Sequence, residues 1–256
     1  MGDGIDLTVG AMSAEQIFAN YARPLGIGGI AMAGIIGILK SSGIIGRAVK
    51  LAANELGNKR DLNGPTLRTE QDLSMKFVLI GIIAALITTF VFFQFGVIHN
   101  ISQTLIALLI VFVIAFLFTT VAANAIAIVG SNPVSGMTLM TLILTSVILV
   151  SVGIQGERGM MAAMIIGGVV CTALSMAGGF ITDLKIGYWL GTTPQKQEKW
   201  KFLGTFVSAL TVAGVMIILS KTYGFEGEGA LVAPQANAMA AVIKPLMEGG
   251  ETPWIL

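Results

Sequence analysis

Between Phe77 and Ile98 the chain carries one strongly polar side chain, Gln94, and between Leu105 and Val129 one more, Asn124. The hydrocarbon core of a bilayer takes about 20 apolar residues as a helix, so both runs predict membrane spans. In lipid a backbone amide finds no partner outside its own structure. Few folds other than a helical bundle survive that constraint.

Composition agrees. Hydrophobic residues make up 55% of the 256 and charged ones 11%, against roughly 25% charged in a soluble domain. Too few charges remain to cover a water-facing surface. The formal net charge of +1 gives no electrostatic footprint for nucleic acid. Glycine, at 32 residues, exceeds its ~7% average without any repeat, which suits closely packed membrane helices. Cys171 stands alone in an apolar run, excluding a disulfide scaffold and a cysteine metal site. The start, Met1-Gly2-Asp3-Gly4-Ile5-Asp6, is acidic and polar and does not read as a signal peptide.

Two further runs, Met160–Ile181 and Phe202–Leu219, are long enough to span, while Leu25–Leu39 and Met137–Val152 are short. Each short run reads as a tilted complete crossing or a partial one. Basic residues cluster in two places. Lys40–Lys76 holds Arg47, Lys50, Lys59, Arg60 and Arg68 besides its ends; Thr182–Lys201 holds Lys185, Lys196, Lys199 and Lys201. The positive-inside tendency puts both in the cytoplasm. Six crossings satisfy that parity, with segment 1–23 outside and 40–76 as a basic cytoplasmic loop. The expectation is a single all-α, multi-pass membrane domain in the inner (plasma) membrane.

Within the basic loop Ile45, Val49, Ala52, Ala53 and Leu56 fall at helical spacing, with Arg47, Lys50 and Asn54 opposite. This predicts an amphipathic helix, lying on the inner leaflet or packed beneath the bundle. Thr69-Glu70-Gln71-Asp72 reads as a capping box opening the helix that enters at Phe77. Ala163, Gly167, Cys171, Ser175 and Gly179 recur every four residues, and Gly29, Ala33 and Gly37 do the same. Such stripes let helix backbones approach closely, which makes Gly167 and Gly179 packing candidates.

Gly130-Ser131-Asn132-Pro133-Val134-Ser135-Gly136-Met137-Thr138 separates two of the apolar runs. Pro133 suits a first helical position and Asn132 an N-cap. A helix starting there would aim free N–H groups and a positive dipole end at the break, a setting for a carboxylate. Ser131, Asn132, Ser135 and Thr138 add neutral hydrogen-bonding groups. A discontinuous or re-entrant helix near 130–138 and an ordinary turn at the cytoplasmic face both fit these residues. Asn124 either faces the same place or bonds a neighbouring helix, and Gln94 reads as interfacial. Asp183-Leu184-Lys185-Ile186-Gly187-Tyr188-Trp189 places one acid and one base beside aromatic residues. Ionisable groups at membrane depth are functional candidates, whereas at the interface they are solvated beside belt aromatics. Pro234-Gln235-Ala236-Asn237-Ala238-Met239 heads a stretch too short to cross, so residues 234–247 read as a re-entrant or surface helix. His99 is isolated, so no metal site is expected, and no cofactor. No nucleophile–base pair, metalloprotease motif or phosphate loop is present, so no catalytic residue can be named and an enzyme is not expected.

Arg23-Pro24-Leu25-Gly26-Ile27-Gly28, Ser131–Thr138, Asp183–Tyr188 with Gly191-Thr192-Thr193-Pro194-Gln195-Lys196-Gln197, and Pro234–Met239 together resemble the oligopeptide transporter family, in its bacterial branch near the yellow stripe-like group. The resemblance runs from Tyr21 to the end. It implies a proton- or cation-coupled importer of small peptides or peptide-like metal chelates, acting in the lipid bilayer. Ser131, Asn132, Ser135, Thr138, Asn124, Gln235 and Asn237 would line the substrate path, and Asp183 would serve the coupling proton or cation. Family members are usually much longer and resemble this chain only in a later portion. The chain is therefore expected to be a fragment or one part of a split transporter, packing against the missing half or a second copy. The alternative reading is a non-catalytic membrane subunit whose partner carries the path.

Overall fold

The apolar runs set the architecture because a helix satisfies its own backbone in lipid. The computed structural model describes residues 13–22, 67–130, 134–224 and 234–248, with isolated positions between 25 and 53. Among the described residues every regular element is helical. Six longer helices follow one another: α1 Met75–Gly96, α2 Ile101–Val129, α3 Val134–Ser151, α4 Gly156–Leu190, α5 Pro194–Thr222 and α6 Pro234–Glu248. Four of them, α1, α2, α4 and α5, are long and apolar enough to cross a membrane. The fold is an all-α transmembrane bundle.

Of the Leu25–Leu39 run, Leu25, Gly26, Gly28, Gly29, Met32 and Ile36 are helical. Ala33, Gly37 and most of the basic loop lie outside the described residues, so of the amphipathic apolar set only Ala53 is described, in a helix.

The core is built from α2, α3, α4 and α6. Phe118, Leu142, Ile166, Val170 and Leu174 are buried together, and Ile243 and Met247 of α6 join them at 1% and 2% exposure. Helix α1 contributes Phe93, and α5 has no buried residue at all. These two helices lie at the periphery.

Helices α3 and α4 form a tight hairpin through Val152–Gln155. The space a Cβ on Gly167 would need is taken by the Leu142 side chain, which fixes their register. The small-residue stripe does not stay on this face. Steps of four residues advance about 40° each, so Ala163 and Gly179 end up roughly 160° apart around the helix. The buried side instead follows Gly159, Ala163, Ile166, Val170, Leu174 and Gly178, while Ser175 is exposed. A Cβ on Gly179 would meet only Lys201 Nζ of α5, at 3.7 Å.

Helix α4 has 35 residues, about 52 Å at 1.5 Å each, well beyond the ~30 Å hydrocarbon core. Thr182–Lys201 is consequently no open loop. It comprises the last turns of α4, a turn at Gly191-Thr192-Thr193 and the first turns of α5. Gly191 makes the reversal at φ 69°, a left-handed conformation that costs glycine little.

The expected capping box does not form. Thr69 sits in a 3₁₀ turn, Arg68–Glu70, residues 71–74 are irregular, and α1 starts at Met75 with no side-chain cap from Ser74. The Gln71 carbonyl accepts from the Gln195 N–H at 2.9 Å, and the Leu73 N–H donates to Glu198 Oε2 at 2.7 Å. Partners on α5 outcompete the local cap and hold this strap extended.

Candidate functional site

Helix α2 ends where Gly130 adopts φ 77° and its N–H bonds the Ile126 carbonyl at 2.8 Å. Helix α3 begins at Val134. Ser131, Asn132 and Pro133 lie outside the described residues, as do the side chains of Ser135, Gln235 and Asn237. Thr138 is buried in the first turns of α3, and Asn124 is half-buried near the end of α2.

The contacts of α3 locate its head. From the Leu142–Gly167 contact, going back eight residues to Val134 advances about 12 Å toward the level of residue 175 on the antiparallel α4. That level is about 9 Å short of Ile181, where the apolar run of α4 ends. Helix α6 docks on both: Met239 and Leu246 pack on Leu139 of α3, and Met247 Sδ reaches Gly159 of α4. A helix N-terminus carries unbonded N–H groups and a positive dipole end, and that of α3 lies below the end of the apolar layer by the Leu142–Gly167 register.

The α4–α5 turn carries the charges. Lys201 Nζ donates to Asp183 Oδ2 at 2.6 Å, with the side chains 32% and 51% exposed. Gln197 Nε2 donates to the Asp183 carbonyl at 3.3 Å and to Thr192 Oγ1 at 3.4 Å. Its amide lies over Gly187, where a Cβ would collide with it. Thr192 closes the turn, its N–H and Oγ1 both donating to the Gly187 carbonyl at 2.9 and 2.8 Å. Lys185 Nζ stands 5.6 Å from the ring centres of both Tyr188 and Trp189, within cation–π range. The Arg68 guanidinium donates to the Gly191 carbonyl at 2.8 Å, extending the strap to the turn. An open groove of about 370 Å³ is lined by Phe180, Asp183, Gln197, Trp200, Lys201 and Gly204 among others. Asp183 thus faces a cation of its own chain. It is not level with the α3 head: from residue 175, which is, it sits eight residues, about 12 Å, further along α4.

Sequence reasoning gave Lys201, Glu198 and Arg68 no role and Gln197 only a place in a motif block; each finds its partner through the α4–α5 reversal. Gln94, expected at the interface, is half-buried with Oε1 shut away from any partner among the described residues. No cluster of potential metal ligands occurs among the described residues.

Long apolar helices, a broken helix pair and a second short helix docked beside it define a multi-pass membrane protein. The chain matches the family model "OPT oligopeptide transporter protein" over residues 3–256, and it belongs to that family of transporters. It is similar to a Haemophilus influenzae (strain Rd) protein described as "Putative oligopeptide transporter", with 29% identity over 261 residues covering 90% of this chain and 40% of that protein. The chain thus spans well under half the length of that relative. No solved structure matches the chain significantly.

Proposed function

We propose that this chain forms part of a proton- or cation-coupled secondary transporter for small oligopeptides or peptide-like metal chelates in the inner membrane. The observation that carries the reading is the break between α2 and α3, with the head of α3 below the end of the apolar layer and α6 docked on α3. Transporters hold anionic substrate groups at such half-helix N-termini, where the dipole and free amides favour a carboxylate. Ser131, Asn132, Ser135 and Thr138, with Asn124, Gln235 and Asn237, line the substrate path in this reading. Membership of a peptide-transporter family and the relative's description support a peptide cargo. A chelate whose carboxylates meet the same amides fits equally.

Asp183 is the proposed coupling residue. Lys201 already neutralises it at 2.6 Å, so a coupling cation or proton would enter by displacing the ammonium group. Gly167 is assigned to helix packing against Leu142, whereas Gly179, expected to pack likewise, faces only Lys201 Nζ.

A second reading has an observation of its own. Helix α5 spans 29 residues without one buried side chain, as a helix would that packs against the remainder of a longer transporter. In that reading the chain is a non-catalytic part, and its partner supplies the path.

Uptake of labelled di- to tetrapeptides into vesicles bearing the full-length protein, with and without a proton gradient, separates the two. Gradient-dependent uptake that is lost in Asn132→Ala at normal membrane levels supports the path through the break. Saturable uptake unchanged in that variant removes Asn132 from it.

A further inference from the structure

Nine helical threonines, Thr141 among them, donate Oγ1 to the carbonyl four residues back in their own helix. Thr145 does not. Its Oγ1, and the Oγ of the adjacent Ser146, are fully buried and have no partner among the described residues. A buried hydroxyl left unpaired forfeits its solvation, so native bundles satisfy such groups with protein, ordered water or ligand.

Their position gives this meaning. With Leu142 taken as facing α4, residue 145 lies about 60° to one side and 146 about 40° to the other. Both therefore belong to the face turned toward α4. By the Leu142–Gly167 register the residues opposite are near 163, where α4 presents the buried Ala162 and Ala163. Methyl groups offer no acceptor. Thr138 lies on the same face, two turns nearer the head of α3, and is buried as well. The two orphan hydroxyls stand about 17 Å along α3 from its start, and by the same register lie about 6 Å inside Met160, where the apolar run of α4 begins. Neither α3 nor the Met160–Ile181 run of α4 contains a charged residue, so nothing there would compensate a bound ion.

We infer that Thr145 and Ser146 form an uncharged hydrogen-bonding site between α3 and α4, which holds water and exchanges it for amide groups of a passing peptide. The inference rests on the transport reading for its solute and on the two buried hydroxyls for its location. The site lies about two turns beyond Thr138 on the same face of α3, past the Leu142–Gly167 contact. A neutral site of this kind would grip backbone amides, common to all peptides, and be indifferent to side-chain charge.

The test uses full-length protein in membranes with its cysteines, Cys171 among them, replaced by serine. Thiosulfonate reagents attack the thiolate, which forms only where water reaches. Ser146→Cys is expected to react about tenfold faster than Leu149→Cys, the equally buried control on the same face, and an excess of tripeptide should slow it by a similar factor. Equal rates for the two cysteines overturn the site. Fast labelling that tripeptide leaves unchanged overturns its contact with peptide. Thr145→Val keeps the shape, and an unpaired hydroxyl with no other role would be lost without harm. Peptide uptake reduced about tenfold at an unlowered melting temperature is expected; unchanged uptake overturns the role. Absence of uptake by the parent protein, with the labelling contrast intact, would instead strike the transport reading.

Discussion

Leu142 of α3 occupies the space that a Cβ on Gly167 of α4 would require. This contact sets the register of the hairpin, and through it the level at which α3 begins. The next glycine, Gly168, has nothing within 4 Å of a notional Cβ. Two neighbouring glycines in one helix thus have opposite tolerances.

Gly167→Leu is therefore expected to overpack the α3–α4 interface, costing about 1–3 kcal/mol or more, and to reduce the yield of folded protein. Gly168→Ala should be neutral or gain up to about 1 kcal/mol from helix propensity. Thermal melts in detergent compare the two. Equal melting temperatures would remove the packing role from Gly167.

Gly187 and Gln197 are coupled in the same sense, although here the obstructing atoms belong to the end of a flexible side chain. Gly187→Ala should expel the Gln197 amide and lose its bonds to the Asp183 carbonyl and Thr192, about 1 kcal/mol in all. The same change in a Gln197→Ala background should cost less. A coupling below about 0.5 kcal/mol in the double-mutant cycle would mean that the amide does not matter to the turn.

The strap depends on Glu198. Glu198→Ala removes the acceptor of the Leu73 N–H and should speed hydrogen exchange at Leu73 while exchange in the middle of α2 stays unchanged. Arg68→Ala, which loses the bond to the Gly191 carbonyl, should loosen the strap from its other end. Unaltered exchange at Leu73 in the Glu198 variant would show that the segment is held by something else.

Asp183 and Lys201 offer a charge-swap experiment. A half-exposed pair contributes roughly 0–1 kcal/mol to stability, so Asp183→Lys or Lys201→Asp alone should fold, and the double swap should fold at least as well. Gradient-dependent uptake should be lost in Asp183→Asn and not recovered in the swap, because the acid then sits on α5. Full recovery in the swap would reduce the pair to a structural tie.

Much of the bundle is legible residue by residue. Phe77–Ile98 and Leu105–Val129 predict helices because lipid demands local backbone pairing, and hydropathy reports that demand directly. Gly130 and Pro133 mark a helix boundary for equally local reasons, and Gly130 indeed closes α2 in the left-handed conformation. The capping box at Thr69 misleads because its competitors, Gln195 and Glu198, lie more than a hundred residues away. The stripe from Ala163 to Gly179 misleads over its second half, since a four-residue period drifts around a helix of 3.6 residues per turn.

The amino-acid sequence alone determined that this chain is a helical membrane protein with an interruption after Gly130, since both follow from interactions within a few residues. Only the tertiary structure decided which faces meet. It set Leu142 on Gly167, docked α6 on α3 and α4, gave Asp183 its lysine and left Thr145 and Ser146 buried without partners among the described residues. Those outcomes depend on helix register and on side chains distant in the chain, and in lipid close packing rather than hydrophobicity selects among them.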